Sequence, residues 1–240
     1  AAKQLPLFVP RGFARRMESG NPDDPLLRQV LNVVQEEVSD AQFKVDPVGE
    51  SQVGIAPGLL QKYAGRALMV VTGVCAVHCR YCFRRHFPYQ SFQQKGAEVG
   101  RWQLALDAVR SDESIHEVLL SGGDPLVLTD DLLAELLTML ENIPHLKRLR
   151  IHTRTPIVIP SRVTQTLVKR LASSRLAVWF VVHANHGNEL GTEVLDSLGR
   201  LVTAGIPVLN QTVLLRGVND SSEVLEELFT KLADASVLPY

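Results

Sequence analysis

Cys75-Ala-Val-His-Cys79-Arg-Tyr-Cys82 gathers the only three cysteines of a 240-residue chain into eight positions. An odd count at such tight spacing is not a disulfide framework. A closed zinc site takes four ligands, so His78 or His86 would have to complete one here. Three thiolates spaced C-x3-C-x2-C suit instead a cubane [4Fe–4S] cluster, with three irons held by the protein and the fourth open to a small molecule. An open metal position marks catalysis, where a closed one marks structure. Just past the loop, Arg84-Arg85-His86 reads either as a solvated basic run or as a source of bidentate forks for carboxylates.

Other candidates lie further along. Ser121-Gly-Gly-Asp-Pro125 is either a plain strand-to-helix turn or a loop whose two glycines let a ligand reach free backbone N–H groups. His183 and Gln211 each sit in or at the end of an apolar stretch, where a satisfied core group is the ordinary reading. Lys62, Tyr63 and Arg66 would be an unremarked surface cluster on composition alone.

The elements that must position these residues follow from periodicity. Residues 1–66 read as a Pro-rich, irregular N-terminal layer with one helical candidate, in which Leu26, Leu27, Val30, Leu31 and Val34 recur at helical spacing behind Asn21-Pro-Asp-Asp24. Asp46-Pro47 and Pro57-Gly58 mark turns. From residue 67 onward, short apolar runs at 68–74, 118–120, 149–151, 177–183 and 208–215 alternate with amphipathic segments at 102–109, 129–141, 163–171, 193–204 and 222–232. A sixth strand would begin near Val237. Alternation of this kind predicts an α/β fold with a parallel sheet and right-handed crossovers, and places function at the carboxyl ends of the strands. The cysteine loop, residues 121–124, Thr153-Arg-Thr155, His183-Ala-Asn185 and Leu215-Arg-Gly217 all fall there.

C-x3-C-x-Φ-C, with Tyr81 as the aromatic, resembles the signature of the radical S-adenosylmethionine (SAM) enzymes. The wider stretch Cys79-Arg-Tyr-Cys-Phe-Arg-Arg-His-Phe-Pro-Tyr89 is similar to the lysine 2,3-aminomutase branch, and within it to the EpmB type that prepares β-lysine for elongation factor P. The resemblance runs from about Pro10 to the last residue. It implies an open parallel (β/α)6 partial barrel over residues 67–240. It further implies that Cys75, Cys79 and Cys82 hold a [4Fe–4S] cluster and that Tyr81, Ser121, Gly122, Gly123, Asp124, His183 and Gln211 lie against SAM. By the same resemblance Lys62, Tyr63 and Arg66 meet pyridoxal 5′-phosphate (PLP), and Arg84 takes the substrate carboxylate. The implied reaction turns L-lysine into (R)-β-lysine, which a separate ligase would attach to elongation factor P.

The chain also departs from the family pattern. Lys62 stands where clostridial-type enzymes carry Arg, which puts a bidentate phosphate contact in doubt. The family's PLP-bearing lysine lies in a C-terminal Gly-rich segment. Lys3, Lys44, Lys62, Lys95, Lys147, Lys169 and Lys231 all lie outside such a context, so no catalytic PLP lysine is assigned in this chain. Ser221 stands where the clostridial type places a zinc-binding cysteine. Alternatives are a glutamate 2,3-aminomutase, a radical SAM reaction without PLP, and a non-catalytic zinc-binding module.

Composition sets the outer bounds. The length allows one sizeable core, and 45% hydrophobic with 21% charged residues describes an ordinary globular protein. A formal net charge of −1 points to neither nucleic acid nor a membrane surface. Clustered free thiols fit a reducing, cytoplasmic setting. The sequence leaves room for a homo-oligomer. With no initiator Met and an ending, Val237-Leu-Pro-Tyr240, that looks like a strand cut as it begins, a chain truncated at both ends is expected.

Overall fold

The computed structural model describes residues 6–37, 44–89 and 102–240. One sheet of eight strands runs through it in sequence order. Strands β1 (Gly54–Ala56), β2 (Leu59–Tyr63) and β3 (Arg66–Thr72) form an antiparallel meander. From β3 onward, β4 (Glu117–Gly122), β5 (Arg148–Thr153), β6 (Ala177–Val182), β7 (Val208–Asn210) and β8 (Leu238–Pro239) are all parallel. Six parallel strands in this order are the expected open partial barrel. The crossover helices are α1 (Gln103–Ser111), α2 (Asp130–Glu141), α3 (Gln165–Ala172), α4 (Thr192–Thr203) and α5 (Ser222–Asp234). Among the described residues no helix is long and apolar enough to cross a membrane.

Period-two alternation gives the sheet two faces. Ala67, Met69 and Val71, then Val118 and Leu120, Leu149 and Ile151, Val178, Phe180 and Val182 bury one face. They meet helical stripes such as Leu133, Leu136, Leu137 and Leu140 of α2 or Val194, Leu198 and Leu201 of α4. The opposite, inner face therefore receives Arg66, Leu68 and Val70, Glu117, Leu119 and Ser121, and Arg148, Arg150 and His152. Helix starts are set by side-chain caps: Thr129, Thr164 and Ser221 accept from the backbone N–H of Leu132, Leu167 and Val224. Gly205, at φ 78°, closes α4.

Three expectations need correction. The helix expected from Leu26 to Val34 is two separate 3₁₀ turns, Leu27–Gln29 and Val34–Glu37. Asp24 caps the first, accepting from Leu26 and Leu27 N–H, but Val30 turns to φ −129° and ends it. Crowding at β-branched Val30, Val33 and Val34 works in the same direction. The strand expected over 208–215 ends at Asn210. There the Asn210 side chain clasps Ala184, accepting from its N–H at 2.8 Å and donating to its carbonyl at 2.9 Å, and the chain leaves the sheet. Finally, residues 54–63 are not irregular: they add two strands to the same sheet, so the N-terminal layer and the barrel share it.

Candidate active site

The cysteine loop leaves the end of β3 and is seated from below and from the side. Below it, Phe13, Leu26, Val30, Val77 and Val158 form a second apolar core against which Cys79 packs. His78 N–H donates to Phe8 O at 3.0 Å and Arg80 N–H to Gln29 O at 2.8 Å, so the N-terminal layer fixes the loop's backbone. Beside it, the loop is sewn to the end of β4. Gly123 N–H donates to Thr72 O at 2.7 Å, and Asp124 N–H to Val74 O at 2.8 Å. Tyr89 closes the seam, its hydroxyl donating to Gly122 O at 2.7 Å.

This seam corrects the expected use of Ser121-Gly-Gly-Asp124. The N–H groups of Gly123 and Asp124 are spent on the cysteine loop. The glycines make room for backbone: a Cβ on Gly123 would stand 2.2 Å from Val74 O, and one on Gly122, at φ 112°, 2.7 Å from Thr72 O. Asp124, buried, has no acceptor direction left over. Its Oδ1 takes Thr153 Oγ1 at 2.6 Å and Leu126 N–H at 3.0 Å, and its Oδ2 takes the N–H groups of Arg154 and Thr155 at 2.8 and 3.0 Å. Burial pushes its pKa up and these donors pull it back. Asp124 thus positions the loop after β5.

The three cysteines are all free and half-buried. Burial, followed by neighbouring negative charge, pushes the thiols of Cys75 and Cys82 up. Among the described residues no group of three or more His, Cys, Asp or Glu side chains is gathered at metal-holding distance. Cys79 Sγ accepts a hydrogen bond from Arg154 Nη1 at 2.9 Å. The chemistry of the donor set, three thiols on one loop, fits an iron–sulfur cluster. Tyr81 packs its ring 5.3 Å from the Arg154 guanidinium, and its hydroxyl is buried beside Asn185.

Arg84 is buried and fully engaged. Its Nε and Nη2 grip both carboxylate oxygens of Glu50 at 2.6 and 2.5 Å, and its Nη1 donates to Ser121 Oγ at 2.9 Å. The fork expected for a substrate carboxylate is thus present and shaped for the task, and a carboxylate of this chain fills it. Glu50 carries no sequence signal for this contact.

His183 follows β6 at the same end of the inner face, with His152 of β5 beside it, ring centroids 6.0 Å apart. Sequence reading missed His152, whose buried Nε2 has no partner. The one available signal was its inward register beside Ser121, since Leu120 pairs with Ile151. Burial first, then the charges of Arg154 and Arg84, lowers His183 to about 4. Burial first, then His183 and Arg150, lowers His152 to about 3, only partly offset by the neighbouring Gln211. Both rings are therefore neutral acceptors at pH 7. Unfolded, each titrates near ~6.5, so the unfolded chain binds more protons between that pH and the folded values. The stability they contribute is whole above about pH 6.5 and falls as pH drops, by up to ~1.4 kcal/mol per pH unit for each ring. Urea unfolding at pH 7 and pH 5 should show a smaller loss in His183→Gln than in the parent; equal losses would mean that the His183 ring is not held neutral.

Lys62, Tyr63 and Arg66 lie at the far end of the sheet. Tyr63 pairs with Arg66 across the β2–β3 turn, and the Arg66 guanidinium stacks 4.5 Å over the Tyr63 ring. Lys62 Nζ donates to Val48 O at 2.7 Å. Six residues of strand, about 20 Å at ~3.3 Å each, separate this end from the cysteine loop. Arg66 shares its level with Glu117 and Arg148 by register. Arg150, one inward position higher, donates to Glu117 at 2.6 Å and to the Tyr240 hydroxyl at 3.1 Å. A cationic inner end of this kind fits a phosphate.

Comparison with known proteins agrees with this geometry. The sequence profile described as "Radical SAM superfamily" matches residues 69–229. L-lysine 2,3-aminomutase of Escherichia coli is 51% identical over all of this chain, which spans 69% of that relative. The Haemophilus influenzae protein of the same name is 45% identical over all of this chain and 70% of its own length. That of Clostridium subterminale is 37% identical over 99% of this chain and 56% of its own length. A thiol loop at the mouth of a six-stranded parallel half-barrel, with such relatives, makes this chain a member of the lysine 2,3-aminomutase family of radical SAM isomerases, whose cofactors are a [4Fe–4S] cluster, SAM and PLP.

Proposed function

We propose that this protein is a PLP-dependent lysine 2,3-aminomutase of the EpmB type, converting L-lysine to (R)-β-lysine for the modification of elongation factor P by a separate ligase. The observation that carries the reading is the cysteine loop sewn onto the end of β4, which brings three thiols, Arg84, Ser121 and the neutral His183 to one end of the inner face. When bound, the cluster and SAM supply an electron and a carbon-centred hydrogen acceptor, and PLP supplies the carrier for the migrating amino group. Cys75, Cys79 and Cys82 hold the cluster. Tyr81, Ser121, His183 and Gln211 line the position of SAM, with His183 accepting a hydrogen bond through its uncharged ring, and Gly122 and Gly123 setting the backbone there. Asp124 holds the frame behind them. Arg84 receives the substrate carboxylate when Glu50 gives up the fork. Lys62, Tyr63 and Arg66 face the phosphate and ring of PLP from the far end. The buried strands and helices exclude water from the space between. Free thiols in a cluster loop support a reducing, cytoplasmic setting.

The test uses the full-length protein, reconstituted anaerobically with iron and sulfide and supplied with SAM, PLP, a reductant and L-lysine. Chromatography with mass detection should find an isomer of lysine at the retention of β-lysine. If SAM is cleaved and lysine is untouched, the substrate assignment falls; if a protein holding its full cluster does neither, the reaction class falls.

A further inference from the structure

We infer that Arg154 is a positioning residue that sets the reduction potential of the cluster, by donating a charged hydrogen bond to the sulfur of Cys79; this rests on the reading of Cys79 as a cluster ligand. Arg154 follows β5 and is only 6% exposed. Its Nη1 lies 2.9 Å from Cys79 Sγ. Its Nη2 donates to Gln29 Oε1 at 2.7 Å and to Glu189 Oε2 at 3.0 Å. The guanidinium lies 5.3 Å from the Tyr81 ring and 5.5 Å from the Phe13 ring. Its own backbone N–H is fixed by Asp124. Both Nη atoms are therefore engaged while Nε makes no hydrogen bond, and the guanidinium is buried away from the water that would screen it.

A cation hydrogen-bonded to a ligand sulfur draws electron density from the cluster and favours the reduced, more negative state. Glu189 tempers that effect. It is fully buried and satisfied by Arg154, by Gln29 Nε2 at 3.0 Å and by the N–H groups of Asn185 and His186 at 2.7 and 3.1 Å. The pair is thus a fixed dipole with its positive end on the sulfur. Such a device acts on the step in which the cluster must give up an electron, without touching substrate.

The experiment is a redox titration of the reconstituted full-length protein without SAM, followed by the electron paramagnetic resonance signal of the reduced cluster, with iron and sulfide counted per chain. Arg154→Gln should keep its cluster and show at least a tenfold lower reduced-to-oxidised ratio at fixed potential, a midpoint about 59 mV more negative for a one-electron couple. Glu189→Gln, which removes the charge but keeps one oxygen to accept from Gln29, Asn185 and His186, should shift the midpoint the opposite way. A full cluster at the parent midpoint in Arg154→Gln overturns the inference. Should Arg154→Gln assemble no cluster, Glu189→Gln decides, and an unchanged midpoint there overturns it. A parent protein that assembles no cluster at all would instead defeat the assignment of the cysteines.

Discussion

Cys79→Ala should reduce the iron of the reconstituted protein from ~4 to below ~1 per chain and leave neither SAM cleavage nor lysine isomerisation detectable. Two thiols on a loop this short cannot hold a cubane that needs three protein ligands. The substitution has a second cost inside the protein. The Arg154 Nη1 that donates to Cys79 Sγ is left buried without its acceptor, which costs roughly 1–3 kcal/mol. Iron content, visible absorbance and product formation measure the first effect, and thermal unfolding of the metal-free protein measures the second. A variant that keeps full iron and cleaves SAM would show that the ligand set is wrong.

Gly123→Ala should be nearly as damaging although it removes no functional group. The added carbon would stand 2.2 Å from Val74 O and 2.7 Å from Val74 N, and both are backbone atoms that cannot turn aside. Relief requires lifting the chain that leads into Cys75, breaking the Gly123–Thr72 and Asp124–Val74 hydrogen bonds. Overpacking of this kind costs about 3 kcal/mol, and at ~2–4 °C per kcal/mol for a domain of this size the melting temperature should fall by roughly 10 °C. Cluster assembly should fail in parallel. Gly199→Ala is the matched control. Gly199 lies inside α4 with nothing within 4 Å of its added carbon, so alanine there should stabilise by up to ~1 kcal/mol. Equal melting temperatures for the two variants would mean that the seam between the cysteine loop and β4 does not hold the loop.

The parallel part of the fold was legible because its signals are local. Met69 and Val71 or Leu149 and Ile151 announce strands by alternation, and Thr129 and Gly205 mark the two ends of helices. The β1–β2 hairpin was also written locally and was missed. Pro57-Gly58 sits between Ala56 and Leu59, which pair with each other, and Gly58 takes φ 78° as such a turn requires. Reading that dipeptide only as a turn hid the apolar runs flanking it. The site divides in the same way. Three cysteines in one loop can be read from the chain, as can the inward register of the inner-face residues. Pairings across long separations cannot: Arg84 with Glu50, Gln29 with Glu189 and Arg154 with Cys79 are 34, 160 and 75 residues apart. Nor does spacing reveal that Asp124 spends both oxygens inward. That follows only from where Thr153 and the turn after it come to rest.

The Gln29–Glu189–Arg154 cluster has a consequence for how damage to this protein should be classified. Gln29 binds Glu189 and Arg154 through its side chain, accepts from Asn185 Nδ2 at 2.9 Å, and holds Arg80 through its carbonyl. Arg16 reaches the same junction, donating to the carbonyls of Glu189 and Ile157. The early segment around residues 13–30 is therefore a keystone of the catalytic end, though it contains no cysteine. A lesion there would spare every thiol and still act as an active-site lesion, and in a genetic screen the two kinds would fall into one phenotypic class.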